Sequence, residues 1–225
     1  MLSLACAVLL GYLLGSVPTA YFLVRWKTAL DIRSEGSGNV GTLNSYEVTG
    51  SKWIGALVLL GDGLKGAAAV LAARLLWETG FYHEAAAGVA VVVGHNFPVW
   101  LRFRGGRGLA TAVGVYAVLG WPVVLLWCVL WAAGNFFLRR VNPANALATV
   151  LVMAFILAVP ESLLALLVAG DPPLAGFRII STLLLIVILV KHAAPVREYL
   201  KERGGRVPAD GAEPPGRRIN PNEPQ

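Results

Sequence analysis

The chain has 225 residues, of which 56% are hydrophobic and only 14% are charged, and its formal net charge is +6. This balance excludes an ordinary soluble domain and is typical of a protein that crosses a membrane several times. The two cysteines, Cys6 and Cys128, lie in apolar segments, so neither a disulfide framework nor a zinc site is suggested. The basic residues lie in loops and in the tail, where membrane orientation explains them without nucleic acid as a partner.

Apolar runs predict an all-α, polytopic membrane protein with about seven transmembrane helices. The first run has no basic region before it and no small-residue cleavage site after it, so we expect a retained helix rather than a signal peptide. The predicted helices are Leu2–Val24, Trp53–Trp77, Ala85–Leu101, Leu109–Leu119, Pro122–Leu138, Ala144–Gly170 with a kink at Pro160, and Ile179–Val190. Five spans also fit if Leu109–Leu138 forms a hairpin that stays on one side of the membrane, but we favour seven.

Charge alternates between successive loops. Basic loops contain Arg25, Lys27, Arg33 and Lys52, then Arg102, Arg104 and Arg107, then Arg139 and Arg140, then Lys191, Arg197 and Lys201. The intervening turns contain Glu78, Glu84 and Asp171, with Arg178 as the exception. By the positive-inside bias, the basic loops are cytoplasmic and the N-terminus lies outside. We expect residues 1–202 to form a single integral-membrane domain and residues 203–225, rich in charge, Pro and Gly, to form a disordered cytoplasmic tail.

The densest polar stretch inside the hydrophobic part of the chain runs from Arg102 to Gly108. Three arginines and three glycines fall within these seven residues. Guanidinium groups donate hydrogen bonds in a fork that suits oxyanions, and glycines let backbone N–H groups approach such an anion. A helix beginning at Leu109 would add its positive N-terminal end. The stretch predicts a phosphate cradle at the membrane surface, and the alternative is a short loop whose arginines only set the topology.

Other polar residues are candidates for the same site. The loop Ser34–Asn44 alternates Ser, Asn and Gly, which suits wrapping a polyhydroxylated or phosphorylated ligand but also suits a solvated linker. Asp62 and Lys65 share one helix face, where they either form a mutual ion pair or face a polar cavity. His95 is either a proton-transfer or phosphate-donor group or a structural residue at a helix end. No nucleophile–base spacing or metal-ligand pattern is present, so the sequence does not suggest covalent catalysis.

Three motifs occur in a characteristic order. They are Gly36-Ser37-Gly38-Asn39-x-Gly41, then Asp62-x-x-Lys65-Gly66, then Gly94-His95-x-x-Pro98 running into Phe103-Arg104-Gly105-Gly106-Arg107-Gly108-x-Ala110-Thr111. Together they resemble the bacterial integral-membrane acyl-phosphate:glycerol-3-phosphate acyltransferases over about residues 8–112.

The resemblance implies a seven-helix fold with its N-terminus outside and its catalytic loops in the cytoplasm. It implies a multi-pass protein of the bacterial inner membrane that transfers an acyl chain from acyl-phosphate to the sn-1 hydroxyl of glycerol 3-phosphate, giving lysophosphatidic acid for phospholipid synthesis. Neither a metal nor another cofactor is implied. The implied partners are the two substrates, membrane lipid and, as a candidate, an enzyme that produces acyl-phosphate.

The resemblance also implies the site residues. The catalytic set is Ser37, Asn44, His95, Gly106 and Arg107. The substrate-binding set is Gly38, Asn39, Lys65, Arg104, Gly105 and His192. This chain departs from the family's pattern at Leu43, where a hydroxyl residue is usual, at Glu47 in place of an arginine, and at Pro195 in place of an asparagine. One alternative is therefore a divergent relative with a different acceptor or no activity, and another is a transporter or lipid-binding membrane protein.

Overall fold

The computed structural model describes residues 1–77, 80–170 and 172–204. Its α-helices are α1 Leu2–Ser16, α2 Thr19–Thr28, α3 Thr42–Thr49, α4 Lys52–Trp77, α5 Phe81–Asn96, α6 Leu109–Leu119, α7 Trp121–Leu138, α8 Val141–Ala158, α9 Glu161–Leu164 and α10 Leu174–Gly204. Short 3-10 turns cover Ile32–Ser34, Val99–Leu101 and Ala165–Leu167. The described residues contain no strand, which confirms the all-α prediction.

The helices are those of a multi-pass membrane protein. Five segments are long and apolar enough to cross a bilayer, namely Leu2–Thr28, Lys52–Trp77, Trp121–Leu138, Val141–Ala158 and Leu174–Gly204. Large apolar side chains cover the outside of the bundle, where lipid rather than water suits them. With 16 and 11 residues, α5 and α6 are shorter than the ~20 residues of a typical span. The count of seven crossings, and the orientation, therefore stay predictions.

The predicted site residues gather at one end of the bundle, here called the basic end. It contains the loops 28–51, 97–108 and 139–140 together with the C-terminal part of α10. The Arg107 guanidinium donates to Asn142 Oδ1 at 2.6 Å and so joins two of these loops.

The opposite end contains the turns around residues 80 and 120 and the segment 159–170. There the backbone N–H of Ala169 donates to the carbonyl of Leu119 at 2.9 Å. Arg74 and Glu84 join α4 to α5 through an ion pair of 2.7 Å.

Small residues allow the helices to touch along their backbones. A Cβ added to Gly15 of α1 would lie 2.8 Å from the carbonyl carbon of Val91 in α5. A Cβ added to Gly114 of α6 would lie 2.8 Å from the carbonyl carbon of Gly63 in α4. No real side chain fits at such distances, so these crossings depend on glycine. They place α1 against α5 and α4 against α6.

Three predicted helices run past a break in the structure. Leu2–Val24 divides at Val17 and Pro18 into α1 and α2, and Ala85–Leu101 corresponds to α5, which ends at Asn96. The segment Ala144–Gly170 was expected to be a single helix kinked at Pro160, but α8 ends at Ala158. Proline disfavours the helical conformation of the residue before it, and here Pro160 begins the short helix α9 instead.

Arg178, the basic residue on the otherwise acidic side, has a local structural role. Its guanidinium donates to the backbone carbonyls of Ile156, of Leu157 at 2.8 Å and of Val159 at 2.5 Å. These carbonyls belong to the C-terminal end of α8, which has no helical N–H donors for them. Arg178 therefore caps a helix and does not contradict the charge bias.

Other boundaries also differ from the predictions. The expected polar loop Thr28–Ser51 contains the helix α3, and the last helix runs from Leu174 to Gly204 with Pro195 inside it. Residues 203 and 204 of the expected disordered tail belong to α10, whereas 205–225 lie outside the described residues. Glu78 and Asp171, expected in the acidic turns, lie outside them as well.

Candidate active site

A polar cavity of about 160 Å³ lies at the basic end between α3, α4, α5, α6 and α8. Among the predicted site residues, Asn39, His95 and Arg107 line it. Asp62, Asn142 and Asn145 also line it. The cavity therefore combines one guanidinium with a carboxylate, an imidazole and several amides.

The floor of the cavity holds a buried charged cluster. Asp62 is 1% exposed, and Lys65 Nζ lies 2.8 Å from its Oδ1. His95 is 6% exposed and its Nδ1 lies 3.6 Å from the same oxygen. Lys65 Nζ also donates to the carbonyl of Val17 at 3.0 Å, so it joins α1 to α4 and does not line the cavity. Because an unpaired charge is costly in a membrane span, the three groups depend on one another.

The glycine-rich loop packs directly on His95. The N–H of Gly106 donates to the His95 carbonyl at 3.0 Å, and an added Cβ there would overlap His95 Nε2. A Cβ on Gly105 would lie 2.9 Å from the carbonyl carbon of Asn96. Gly108 has φ +85, a conformation that favours glycine, and the helix α6 begins immediately after it. These glycines let the loop fold over the end of α5 and direct Arg107 into the cavity.

Arg107 is the cationic group of the cavity. Burial lowers the pKa of its guanidinium, while the charges of Glu47 and Glu198 raise it. A guanidinium remains protonated at any physiological pH, so Arg107 supplies a permanent positive charge. Asn142 Oδ1, at 2.6 Å, holds the side chain in place. Glu47 itself is exposed on α3 and does not line the cavity.

Asn44 organises the loop before α3 rather than facing the cavity. Its Nδ2 lies within hydrogen-bonding distance of the carbonyls of Ile32, Glu35 and Asn39, at 3.3, 3.1 and 3.0 Å. Its Oδ1 accepts from the N–H of Ser37 at 3.0 Å. With both ends of the amide bound to backbone, Asn44 positions Ser37 and Asn39, and the expected direct contact with substrate does not follow from its geometry.

The remaining predicted site residues are more scattered. Ser37 is exposed and Gly38 is half-buried on the same loop. His192 is 1% exposed, with Nδ1 at 2.9 Å from the carbonyl of Ile188. Arg104 lies outside the cavity, in an open groove with Arg33 and Trp100. The expected cradle of Arg104 and Arg107 is therefore divided between two places.

Two asparagines of α8 were missing from the predicted site. Asn142 and Asn145 line the cavity, and Asn142 binds Arg107. The available signal was a pair of amides at the start of an apolar helix directly after Arg139 and Arg140, a position where polar groups face either solvent or a site. Asn142 is 35 residues from Arg107 in the sequence, so their positions along the chain did not indicate that the two side chains meet.

An apolar groove adjoins the polar cavity. It is lined by residues of α6, α7, α8 and α10, including Ala112, Tyr116, Trp127 and Ile188. Leu109 belongs to the lining of both. This apolar space has a volume of only about 30 Å³, so it adds an apolar wall beside the polar cavity rather than a chamber for a whole acyl chain.

Comparison with known proteins identifies the family. Residues 5–202 match the glycerol-3-phosphate acyltransferase family. The chain belongs to that family. A glycerol-3-phosphate acyltransferase of Gluconobacter oxydans is 41% identical over 208 residues, covering 91% of this chain and 93% of the relative. One of Mesorhizobium japonicum is 37% identical over 209 residues, covering 92% and 98%. The family resemblance is thus confirmed, and with it an acyltransferase of phospholipid synthesis.

Two solved structures share the fold of this acyltransferase. They are the glycerol 3-phosphate form and the lysophosphatidic acid form of PlsY, an integral membrane glycerol 3-phosphate acyltransferase. The first has a TM-score of 0.74 at 30% identity and covers 89% of this chain and 94% of that one. The second has a TM-score of 0.71 at 29% identity, with coverage of 89% and 93%.

Proposed function

We propose that this protein transfers a fatty acyl chain from acyl-phosphate to the sn-1 hydroxyl of glycerol 3-phosphate at the cytoplasmic face of the bacterial inner membrane. The observation that carries the proposal is the polar cavity with Arg107, which lies next to an apolar space and shares Leu109 with it. The bound forms of the similar PlsY structures, glycerol 3-phosphate and lysophosphatidic acid, support this acceptor and product. The transporter and lipid-binding alternatives have no comparable support.

Acyl-phosphate as the donor follows from the family resemblance, and the cavity is compatible with it. Its guanidinium and amides suit a phosphate group and a three-carbon polyol. Arg107 binds the phosphate, and the N-terminal N–H groups of α6 point to the same place. An enzyme that makes acyl-phosphate would then be a metabolic partner.

The reaction requires no covalent enzyme intermediate. The sn-1 oxygen of the acceptor attacks the carbonyl carbon of acyl-phosphate, and the bond from that carbon to the phosphate oxygen breaks. The electron pair leaves with the phosphate, which also accepts the hydroxyl proton. Arg107 stabilises the developing negative charge, while Asn39 and the amides of α8 orient the two substrates. Ser37 and His192 stay candidates for acceptor binding.

The decisive experiment uses purified protein with labelled glycerol 3-phosphate and either acyl-phosphate or an acyl coenzyme A thioester. We expect labelled lysophosphatidic acid with acyl-phosphate alone. Arg107→Ala should lower turnover by about 10²–10³, the typical effect of removing one preorganised donor. Arg139→Ala, which removes an exposed arginine from another basic loop, is the matched control. Product formation with the thioester alone, or full activity of Arg107→Ala, would contradict the proposal.

A further inference from the structure

Arg104 belongs to a second polar groove that the proposed reaction does not use. This groove, here called the outer groove, has a volume of about 580 Å³ and is lined by Asp31, Arg33, Ser34, Trp100, Arg102 and Arg104. It shares no lining residue with the active-site cavity. The loop 97–108 therefore directs Arg107 to the cavity and Arg102 and Arg104 to the outer groove.

The outer groove carries an unbalanced positive charge. Asp31 and Arg33 neutralise each other through contacts of 2.6 to 3.2 Å, and the Arg33 hydrogen bond lowers the pKa of Asp31 to about 2. Within the part of the chain that the structure describes, Arg102 and Arg104 form no ion pair and are exposed. Two arginines thus remain available to bind an anion.

The backbone directly before Arg104 has an unusual conformation. Arg102 and Phe103 both have positive φ, +53 and +62, although neither is glycine. The N–H of Phe103 donates to the Pro98 carbonyl at 3.0 Å, and the N–H of Arg104 donates to the Leu101 carbonyl at 3.2 Å, which fixes the turn. Consecutive left-handed residues of this kind are costly and concentrate at ligand clamps and other functional sites.

Exposed aromatic rings flank the groove. Trp100 is 64% exposed and Phe103 is 58% exposed, on a loop that follows the apolar helix α5 at the basic end. Aromatic side chains in this position lie at the level of lipid headgroups, and arginines beside them attract anionic lipid. A soluble anion would gain nothing from the exposed rings.

We propose that the outer groove binds the phosphate of an anionic phospholipid headgroup from the surrounding membrane. Arg102 and Arg104 hold the phosphate, and Trp100 and Phe103 lie against the adjacent part of the lipid. The site is distinct from the substrate cavity. Because Arg104 directly precedes the glycines that pack on His95, a bound headgroup also restrains the loop that carries Arg107.

The test measures lipid bound to the purified full-length protein and requires no turnover, so it is independent of the proposed reaction. Native mass spectrometry in detergent counts phosphatidylglycerol and phosphatidylcholine retained from a defined mixture. We expect Arg102→Gln/Arg104→Gln to weaken phosphatidylglycerol retention by about 25-fold, since each arginine near a lipid surface contributes about fivefold. The control Arg139→Gln/Arg140→Gln removes the same charge from another exposed loop and should retain the lipid as wild type does.

A third variant separates lost charge from lost folding. Arg102→Lys/Arg104→Lys keeps both charges and should retain phosphatidylglycerol to within a few-fold of wild type. Equal retention by wild type and the Gln pair would overturn the proposal, as would an equal loss in both Gln pairs. Displacement of the lipid by millimolar inorganic phosphate would show a site for free phosphate instead and would also overturn it.

Discussion

Gly106 determines how closely the arginine-rich loop approaches His95. An added Cβ would overlap His95 Nε2 and lie 2.7 Å from the Val40 carbonyl oxygen. We therefore expect Gly106→Ala to be nearly as damaging as Gly106→Leu, with turnover lowered by about 10², because a shift of ~1 Å in a positioning loop has that effect. Steady-state kinetics of both variants measure it. In Gly63→Ala, the control, the new Cβ meets its nearest neighbour at 3.7 Å and activity should persist. Wild-type rates for Gly106→Ala would show that the loop needs flexibility and not space.

Asp62 is the only carboxylate of its buried cluster among the described residues. Asp62→Asn leaves Lys65 without its partner, and breaking a buried pair by removing one member costs about 3–5 kcal/mol. We expect a large fall in the thermal unfolding temperature in detergent. Replacing both members, as in Asp62→Asn/Lys65→Met, should recover much of that loss because no unpaired charge remains. A double variant less stable than the single one would mean that Lys65 acts mainly through the Val17 carbonyl.

Residue identity alone could indicate the polar stretches but not the direction of each side chain. Asn39 and Asn44 are the same residue type only five residues apart, yet Asn39 lines the cavity and Asn44, in the first turn of α3, binds backbone on both sides. Asparagine suits both tasks because its amide donates and accepts. Arg104 and Arg107 likewise face different places, Arg104 the outer groove and Arg107 the cavity. The turn at Arg102 and Phe103 precedes both, and it depends on contacts that the spacing of residues in the sequence does not show.

At the scale of helices, the crossing of α4 and α6 determines the position of the cavity floor. A Cβ on Gly114 would lie 2.8 Å from the carbonyl carbon of Gly63 and 2.9 Å from the Ala67 nitrogen, both backbone atoms that cannot move alone. We expect Gly114→Ala to separate the helices and lower both the unfolding temperature and the activity. Gly134→Ala in α7 is the control, because its Cβ would meet only ordinary contacts of 3.5 Å or more and alanine favours helix by ~0.5–1 kcal/mol. Similar unfolding temperatures for the two variants would contradict close backbone packing as the cause.

Helices were predictable where hydrophobicity changes sharply. The predicted Leu109–Leu119 agrees with α6, and Pro122–Leu138 lies within one residue of α7, because charges and glycines bound these runs. The helix α3 was missed because its residues are mostly polar and show no apolar run. The extension of α10 beyond the membrane was missed for the same reason, since charged residues continue the helix there.

For the molecule as a whole, the fold class and family could be predicted but the number of crossings could not be fixed. A span is recognised in a sequence by the length of its apolar run, and α6 has only 11 residues. Its close contact with α4 shields its backbone, so a short helix can lie at membrane depth within protein. Length alone supports five spans, a set that includes α7 and omits α5 and α6 and so differs from the hairpin alternative. The path of the chain between the two ends supports seven.

The turn between α6 and α7 separates these two topologies. In the seven-span arrangement Trp121, which is 59% exposed, lies at the end opposite the basic loops, whereas a hairpin that stays on one side would return it toward them. We propose single cysteines in a Cys6→Ser/Cys128→Ser background, labelled with a membrane-impermeant maleimide in intact cells and in inverted vesicles. Trp121→Cys should label from the same side as Pro173→Cys and from the opposite side to Ser34→Cys. Both reference positions are exposed, one at each end of the bundle. Labelling of Trp121→Cys from the Ser34 side, or from neither side, would favour five spans.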